Sequence, residues 1–284
     1  MERHYWRDLW RYRELFYFLA WRDLMVRYKQ TVVGVAWAII RPILTIVVLS
    51  LVFGKVSKLP SGGAPYPLLV CCGVIPWQFF GAALSECGNS LVSNSNLISK
   101  IYFPRLIVPA SSVITSFVDF LVSAAFLVFL MVWYQFMPTV SIVALPLFIL
   151  LAFAASLGAG LWIAALMVDY RDFRVIVPFM VQFGLYATPV AYLSSVIPDK
   201  WRMLYSLNPM VGVIDGFRWC LLSREHHELV PVLLPHGGFR WESLGSDQQL
   251  YLPALAFSVI GITLLLASGI WYFRKTEKSF ADVI

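Results

Sequence analysis

The stretch Val140–Val168, VSIVALPLFILLAFAASLGAGLWIAALMV, contains no charged residue. At 1.5 Å per residue a helix of that length outruns the roughly 30 Å hydrocarbon core of a bilayer. A soluble helix buries one stripe and gives the rest to water; this one is apolar on every side, so its solvent is lipid or other apolar helices. Ala154 with Gly158, and Ser156 with Gly160, form small-xxx-small pairs. That spacing lets two membrane helices approach closely, and this segment is expected to pack tightly on a neighbour.

The rest of the chain has the same character. Of 284 residues 60% are apolar and only 13% charged, with a mean hydropathy of +0.74, against about 25% charged in soluble domains. Six segments are long and apolar enough to span: 32–56, 67–85, 106–135, 140–168, 175–196 and 252–273. Pro42, Pro109, Pro146, Pro178 and Pro189 fall in or beside them, which membrane helices tolerate when neighbours satisfy the freed carbonyls. The expected fold is therefore an all-α polytopic membrane protein of six transmembrane helices.

Residues 1–31 read differently. Seven Lys or Arg and four acids precede the first span, with no uncharged stretch that would act as a cleavable signal. Helical spacing puts Trp6, Trp10, Phe16 or Tyr17, Ala20, Leu24 and Tyr28 near one stripe, with Arg3, Arg7 and Arg11 on another. This predicts a basic amphipathic helix lying in the headgroup plane. With the N-terminus inside, fifteen Lys or Arg fall on the inner side and seven on the outer, five of these in one long outer segment. The positive-inside rule then gives six spans with both termini cytoplasmic. Within the outer segment 197–251, Trp201–Leu207 and Met210–Leu222 are too short to span and read as two re-entrant helices, followed by an exposed loop.

The net charge of +6, 22 basic minus 16 acidic residues, sits at segment ends and is not a nucleic-acid footprint. No P-loop, zinc-protease or nucleophile-elbow motif occurs, so neither ATP hydrolysis, a metal site nor a catalytic residue is expected in this chain. His226-His227 reads as a solvated pair, and Cys71, Cys72, Cys87 and Cys220 as small apolar fillers.

Several short motifs, in order, make the chain resemble the membrane-spanning permeases of ABC-type polysaccharide exporters, the O-antigen, capsule and teichoic acid export family. They are Arg27-Tyr28-Lys29-Gln30-Thr31 with Gly34, Trp37 and Pro42, then Pro65-Tyr66-Pro67 with Gly73, and Pro76-Trp77-Gln78-Phe79-Phe80. Asn96-Leu97-Ile98 with Lys100 and Phe103-Pro104-Arg105 with Pro109 follow. Tyr170-Arg171-Asp172, Thr188-Pro189, Asn208-Pro209 and Gly216-Phe217-Arg218 complete the set; the loop Arg224–Asp247 matches nothing in it. The resemblance implies a homodimer joined to two copies of an ATP-binding subunit, which holds the ATP and Mg. Together they would move a lipid-linked glycan, O-antigen first among the choices, across the bacterial inner membrane. Capsule, teichoic acid, lipid and drug exporters share this architecture. A secondary transporter fits less well, because Asp119 is the one clear mid-span carboxylate and no second half mirrors the first.

Three sets of site residues follow. A charge at mid-depth costs about 2.5–3.5 kcal/mol, so Arg41 and Asp119 are expected to face the protein interior, as a pair in the simplest arrangement. Aromatic faces suit a sliding path for varied glycans; Trp37, Phe179, Phe183 and Tyr186 are the conduit candidates. Between the second and third spans, a short helix capped by Asn94 or Ser95 and ended by Pro104 would gather Leu97, Ile98, Ile101 and Tyr102 beside Lys100 into an apolar knob for the ATPase.

Overall fold

The computed structural model describes residues 2–29, 34–223, 229–233, 239–243, 250–277 and 280. The chain is helical almost throughout. Two helices at the N-terminus, α1 (Glu2–Arg11) and α2 (Arg13–Lys29), are interrupted only at Tyr12, across which backbone hydrogen bonds continue. Helix α3 (Gly34–Leu49) runs on as a π-helical stretch, Ser50–Val56. Helices α4 (Tyr66–Ser93), α5 (Ser95–Lys100), α6 (Ile107–Trp133), α7 (Leu145–Asp169, led by a 3-10 turn from Val140) and α8 (Phe173–Ala187) follow. Then come α9 (Asp199–Tyr205), α10 (Pro209–Leu222) and α11 (Leu252–Thr276). Where the sequence reads as a loop after α10, Leu229–Leu233 (β1) and Phe239–Ser243 (β2) pair as an antiparallel hairpin.

Five of these segments are long and apolar enough to cross a membrane: 39–56, 66–93, 107–133, 140–169 and 252–276. The segment expected as a sixth span, 175–196, forms only the fifteen-residue α8. Its helix stops because Thr188 precedes Pro189: proline drives the residue before it out of the helical region, and Thr188 is extended at ψ 149°. Fifteen residues give about 22 Å, short of the hydrocarbon thickness.

Helix α4 is the centre. Of its most apolar window 78% is buried, against 17–33% in the other four, whose outer faces are left for lipid. Small residues along α4 make this possible. Gly81 lies under Val181 of α8, Gly88 under Ile163 and Met167 of α7, and all four cysteines are buried free thiols. The small-residue stripe of α7 meets two neighbours: Gly158 sits against the backbone of Leu265 and Leu266 in α11, and Gly160 against Cys87 of α4.

Helix α4 also extends to Ser93, past the expected end at Ser85. The polar residues that suggested a loop are satisfied along the helix. Asn89 donates to the Ser85 carbonyl at 2.9 Å and Ser90 to that of Cys87 at 2.6 Å.

Candidate functional site

A cavity of about 760 Å3 lies between α3, α4, α6 and α8, within the size range of small-molecule sites. Arg41 and Thr45 line it from α3, Trp77, Gln78 and Glu86 from α4, Ser116, Asp119 and Phe120 from α6, and Val181 and Gln182 from α8. Amides, hydroxyls and charges thus meet aromatic faces at the middle of an apolar bundle. The polar residues Gln78, Ser85 and Glu86 share one face of α4 with Ala82, because helical neighbours fall three and four apart.

Arg27 closes one wall. Its Nη1 pairs with Asp119 Oδ2 at 2.5 Å, and its Nη2 pairs with Glu86 Oε1. Tyr28 donates to Asp119 Oδ1, and Ser116 to Glu86 Oε2 at 3.0 Å. All four carboxylate oxygens therefore have partners, and one guanidinium bridges α2 to both α4 and α6. Asp119 lies twelve residues into α6, about 18 Å along the axis, so the end of α2 reaches well down the bundle.

Arg41 and Asp119 do line one cavity, but they are not a pair: Asp119 is taken by Arg27, and Arg41 has no ion-pair partner among the described residues. Glu86 and Arg27 escaped the sequence reading for identifiable reasons. Ending the second span at Ser85 left Glu86 beyond that helix, and counting Arg27 with the basic surface of the N-terminal helix hid its aim toward α4 and α6. The phase of Gln78, Ala82 and Glu86 on one continuing helix is the signal that would have placed Glu86.

The expected aromatic stripe of the N-terminal helices divides. Leu19 and Ala20 are buried, Tyr28 turns to Asp119, and Trp10, Tyr17, Phe18 and Trp21 point outward, with Tyr17 stacked on Trp21 at 6.2 Å. At the start of this unit Tyr5 donates to Glu277 Oε2 at 3.0 Å, Arg274 lies over the Tyr5 ring, and Arg105 donates to the Glu277 carbonyl. These contacts bring α1, the α5–α6 connection and the end of α11 together.

Of the conduit candidates, Phe179, Phe183 and Tyr186 form an exposed stripe on α8, beside the face that lines the cavity through Pro178, Val181, Gln182 and Leu185. The side chain of Trp37 lies outside the described residues. The docking knob is also split. Helix α5 ends at Lys100, and Ile101 is already extended (φ −129°, ψ 132°). Ile98 is only 6% exposed and belongs to the core with Leu97 against it, whereas Ile101 and Tyr102, at 53% and 92%, stand clear beside exposed Lys100. Asn94 does not cap the helix; its side chain donates to the Ser90 carbonyl and accepts from Arg22.

At the far end of α8, the turn Thr188–Ser194 is held by α10. Arg218 donates to the carbonyls of Tyr192 (2.7 Å) and Val190 (2.8 Å), with Asp215 4.0 Å away and accepting from Ser194 at 2.6 Å. Asn208 caps α10 by accepting from Met210 N and also donates to Thr188 Oγ1 at 2.9 Å. Tyr66 donates to the Ala191 carbonyl, and Gly73 leaves room for Val190. Residues of several dispersed motifs, Tyr66, Gly73, Thr188, Asn208 and Arg218, thus converge on one knot, while Gly216 and Phe217 pack on Phe148 and Phe120. Arg218, counted above as an outer-surface charge, is buried in it.

The chain that builds this arrangement has named relatives in sequence. The ABC-2 type transporter model matches residues 14–222, from the N-terminal helices through the knot formed by α10. The chain belongs to the ABC-2 type transporter family. This ABC-2 chain is 29% identical over 282 residues to the O-antigen export system permease protein RfbA of Myxococcus xanthus, covering 98% of each. It is 25% identical over 264 residues to the protein of the same name from Klebsiella pneumoniae, 93% of this chain and 92% of that one. It is 22% identical over 209 residues to the polysialic acid transport protein KpsM of Escherichia coli, 72% and 77% respectively.

Proposed function

We propose that this chain is the permease subunit of an ATP-driven exporter that moves a lipid-linked polysaccharide, O-antigen by preference, across the bacterial inner membrane. It works as a homodimer with two copies of a separate ATP-binding subunit, both termini in the cytoplasm, and α8 with the turn Thr188–Ser194 that follows it completes a set of six crossings. The observation that carries this reading is the cavity beside the α8 stripe: amides and hydroxyls next to aromatic faces, within a predominantly apolar bundle. Sugars present both kinds of surface, and Gln78, Gln182, Trp77 and the Phe179–Phe183–Tyr186 stripe offer both without one fixed hydrogen-bond pattern. The relatives named for O-antigen export, matched over nearly the full length, support the choice of glycan.

In this reading Ile101, Tyr102 and Lys100, framed by the N-terminal helices, form the docking surface for the ATP-binding subunit. The re-entrant segment is α9 and α10, and the Arg218 knot fixes its position against the outer end of α8.

The test is capture of a tagged chain from its own cell, together with deletion of its gene. A co-purifying P-loop ATPase and loss of surface O-antigen with lipid-linked glycan accumulating inside are expected. An intact surface glycan in the deletion strain overturns the reading.

A further inference from the structure

We propose that Arg27 and Arg41 are exchangeable counter-ions of Glu86 and Asp119. When the end of α2 withdraws, the two carboxylates pass from Arg27 to Arg41.

Both residues of α2 that serve the carboxylates would leave together. Arg27 supplies one partner to each carboxylate and Tyr28 a third contact, so departure of α2 strips three of the four oxygens and leaves only the Ser116 hydroxyl on Glu86. Two carboxylates stripped of their partners within membrane helices must take up either protons or a replacement cation. Arg41 is placed to be that cation. It lines the same cavity, its side chain is exposed and has no ion-pair partner among the described residues, and α3 packs directly on α4 and α6, which carry Glu86 and Asp119. The formal charge of the four groups is zero, two arginines against two carboxylates, so the set stays balanced whichever arginine holds the pair. What changes is the wall on which the guanidinium stands, and with it the access from the α2 side. The inference rests on the proposed function only for what pulls α2: a partner docked beside the N-terminal helices.

A folding cycle tests the exchange without reference to transport. Arg27→Gln and Arg41→Gln are made singly, together, and together with Glu86→Gln and Asp119→Asn, and the folded yield of each purified permease is measured. Exchangeable cations mean that each single variant folds, because the other arginine takes over. The double variant then falls about tenfold below the product of the single effects, and adding Glu86→Gln and Asp119→Asn restores it. A double variant equal to that product overturns the proposal, leaving Arg41 a surface charge. The movement is tested with spin labels at Phe18 and Leu121, exposed positions on α2 and α6, in the permease–ATPase complex with and without nucleotide. A change of several ångströms is expected, and an unchanged distance overturns the exchange. Failure to capture any ATPase would strike the proposed function instead, while the folding cycle still decides this inference.

Discussion

Arg218 Nη2 donates to the carbonyl oxygen of Val190 at 2.8 Å across 28 residues, from a side chain left 2% exposed. Its Nη1 holds Tyr192 in the same way, while its Nε has no partner among the described residues. The planar fork is what lets one side chain reach two carbonyls, and a lysine has no such fork. Arg218→Lys is expected to lower the thermal midpoint of the purified permease, and Arg218→Ala to lower it further. The alanine variant also leaves Asp215 without the cation 4.0 Å away, which adds to the loss. Thermal unfolding of the three proteins in detergent measures the series; equal midpoints for lysine and arginine would contradict the fork.

Gly73 acts on the same carbonyl from the other side. A Cβ there meets the backbone of Val190, which has no flexible end to move away. Gly73→Ala is expected to destabilise by about 1–3 kcal/mol, and to combine non-additively with Arg218→Lys because both displace Val190. A thermal double-mutant cycle reads the coupling.

The Tyr5–Glu277 contact joins the N-terminal helix to the end of α11, 272 residues away. Burial, with the nearby Glu277 carboxylate, pushes the Tyr5 phenol well above its ordinary value of 10.0. A group whose pKa is raised on folding stabilises the folded state fully below its unfolded value and loses that contribution as pH climbs beyond it. Docking of α1 is therefore constant below about pH 10 and weakens above it. Tyr5→Phe should flatten that alkaline slope, measured as hydrogen exchange of residues 2–11 against pH.

Tyr102 and Ile98, four residues apart, should respond oppositely to added charge. Tyr102→Glu places the charge on an open surface, so insertion and folded yield stay near wild type while capture of the ATP-binding subunit falls at least about tenfold, equivalent to 1.4 kcal/mol. Ile98→Asp puts a carboxylate into the core and loses the folded protein itself. Parallel gel filtration and tag capture separate the two outcomes, and normal capture with Tyr102→Glu would remove the docking assignment.

The cavity and the α8 stripe make separate contributions in the proposed conduit. Gln78→Leu with Gln182→Leu removes the amides without opening space, and Phe183→Ala with Tyr186→Ala removes aromatic area from an already exposed face. Each pair is expected to slow export or shorten the surface glycan several-fold while the folded yield is kept. Electrophoretic chain-length profiles check this, and two unchanged profiles would exclude the conduit.

The membrane-spanning character, the central and outer segments and the small-residue contacts of α7 were all legible in the sequence, because a bilayer demands long uncharged helices and close packing demands small side chains. Arg41 stands exposed at the cavity, but the need of Asp119 for an answering group was legible as well, because the cost of a charge at depth is a local property. The partner was not. Asp119 is met by Arg27, 92 residues away, because the end of α2 packs on α6, a direction set by which face of the N-terminal helix finds that neighbour. The lengths of α4 and α8 failed for related reasons. Glu86 is admissible in a membrane helix only because Arg27 and Ser116 satisfy it, and α8 stops at Thr188 because Pro189 breaks it and the Arg218 knot takes up the freed turn. The hydrophobic pattern thus determines which segments enter the membrane, whereas the tertiary structure decides which buried charges and broken backbone groups answer one another. Such partners lie far apart in the chain, and no local pattern encodes them.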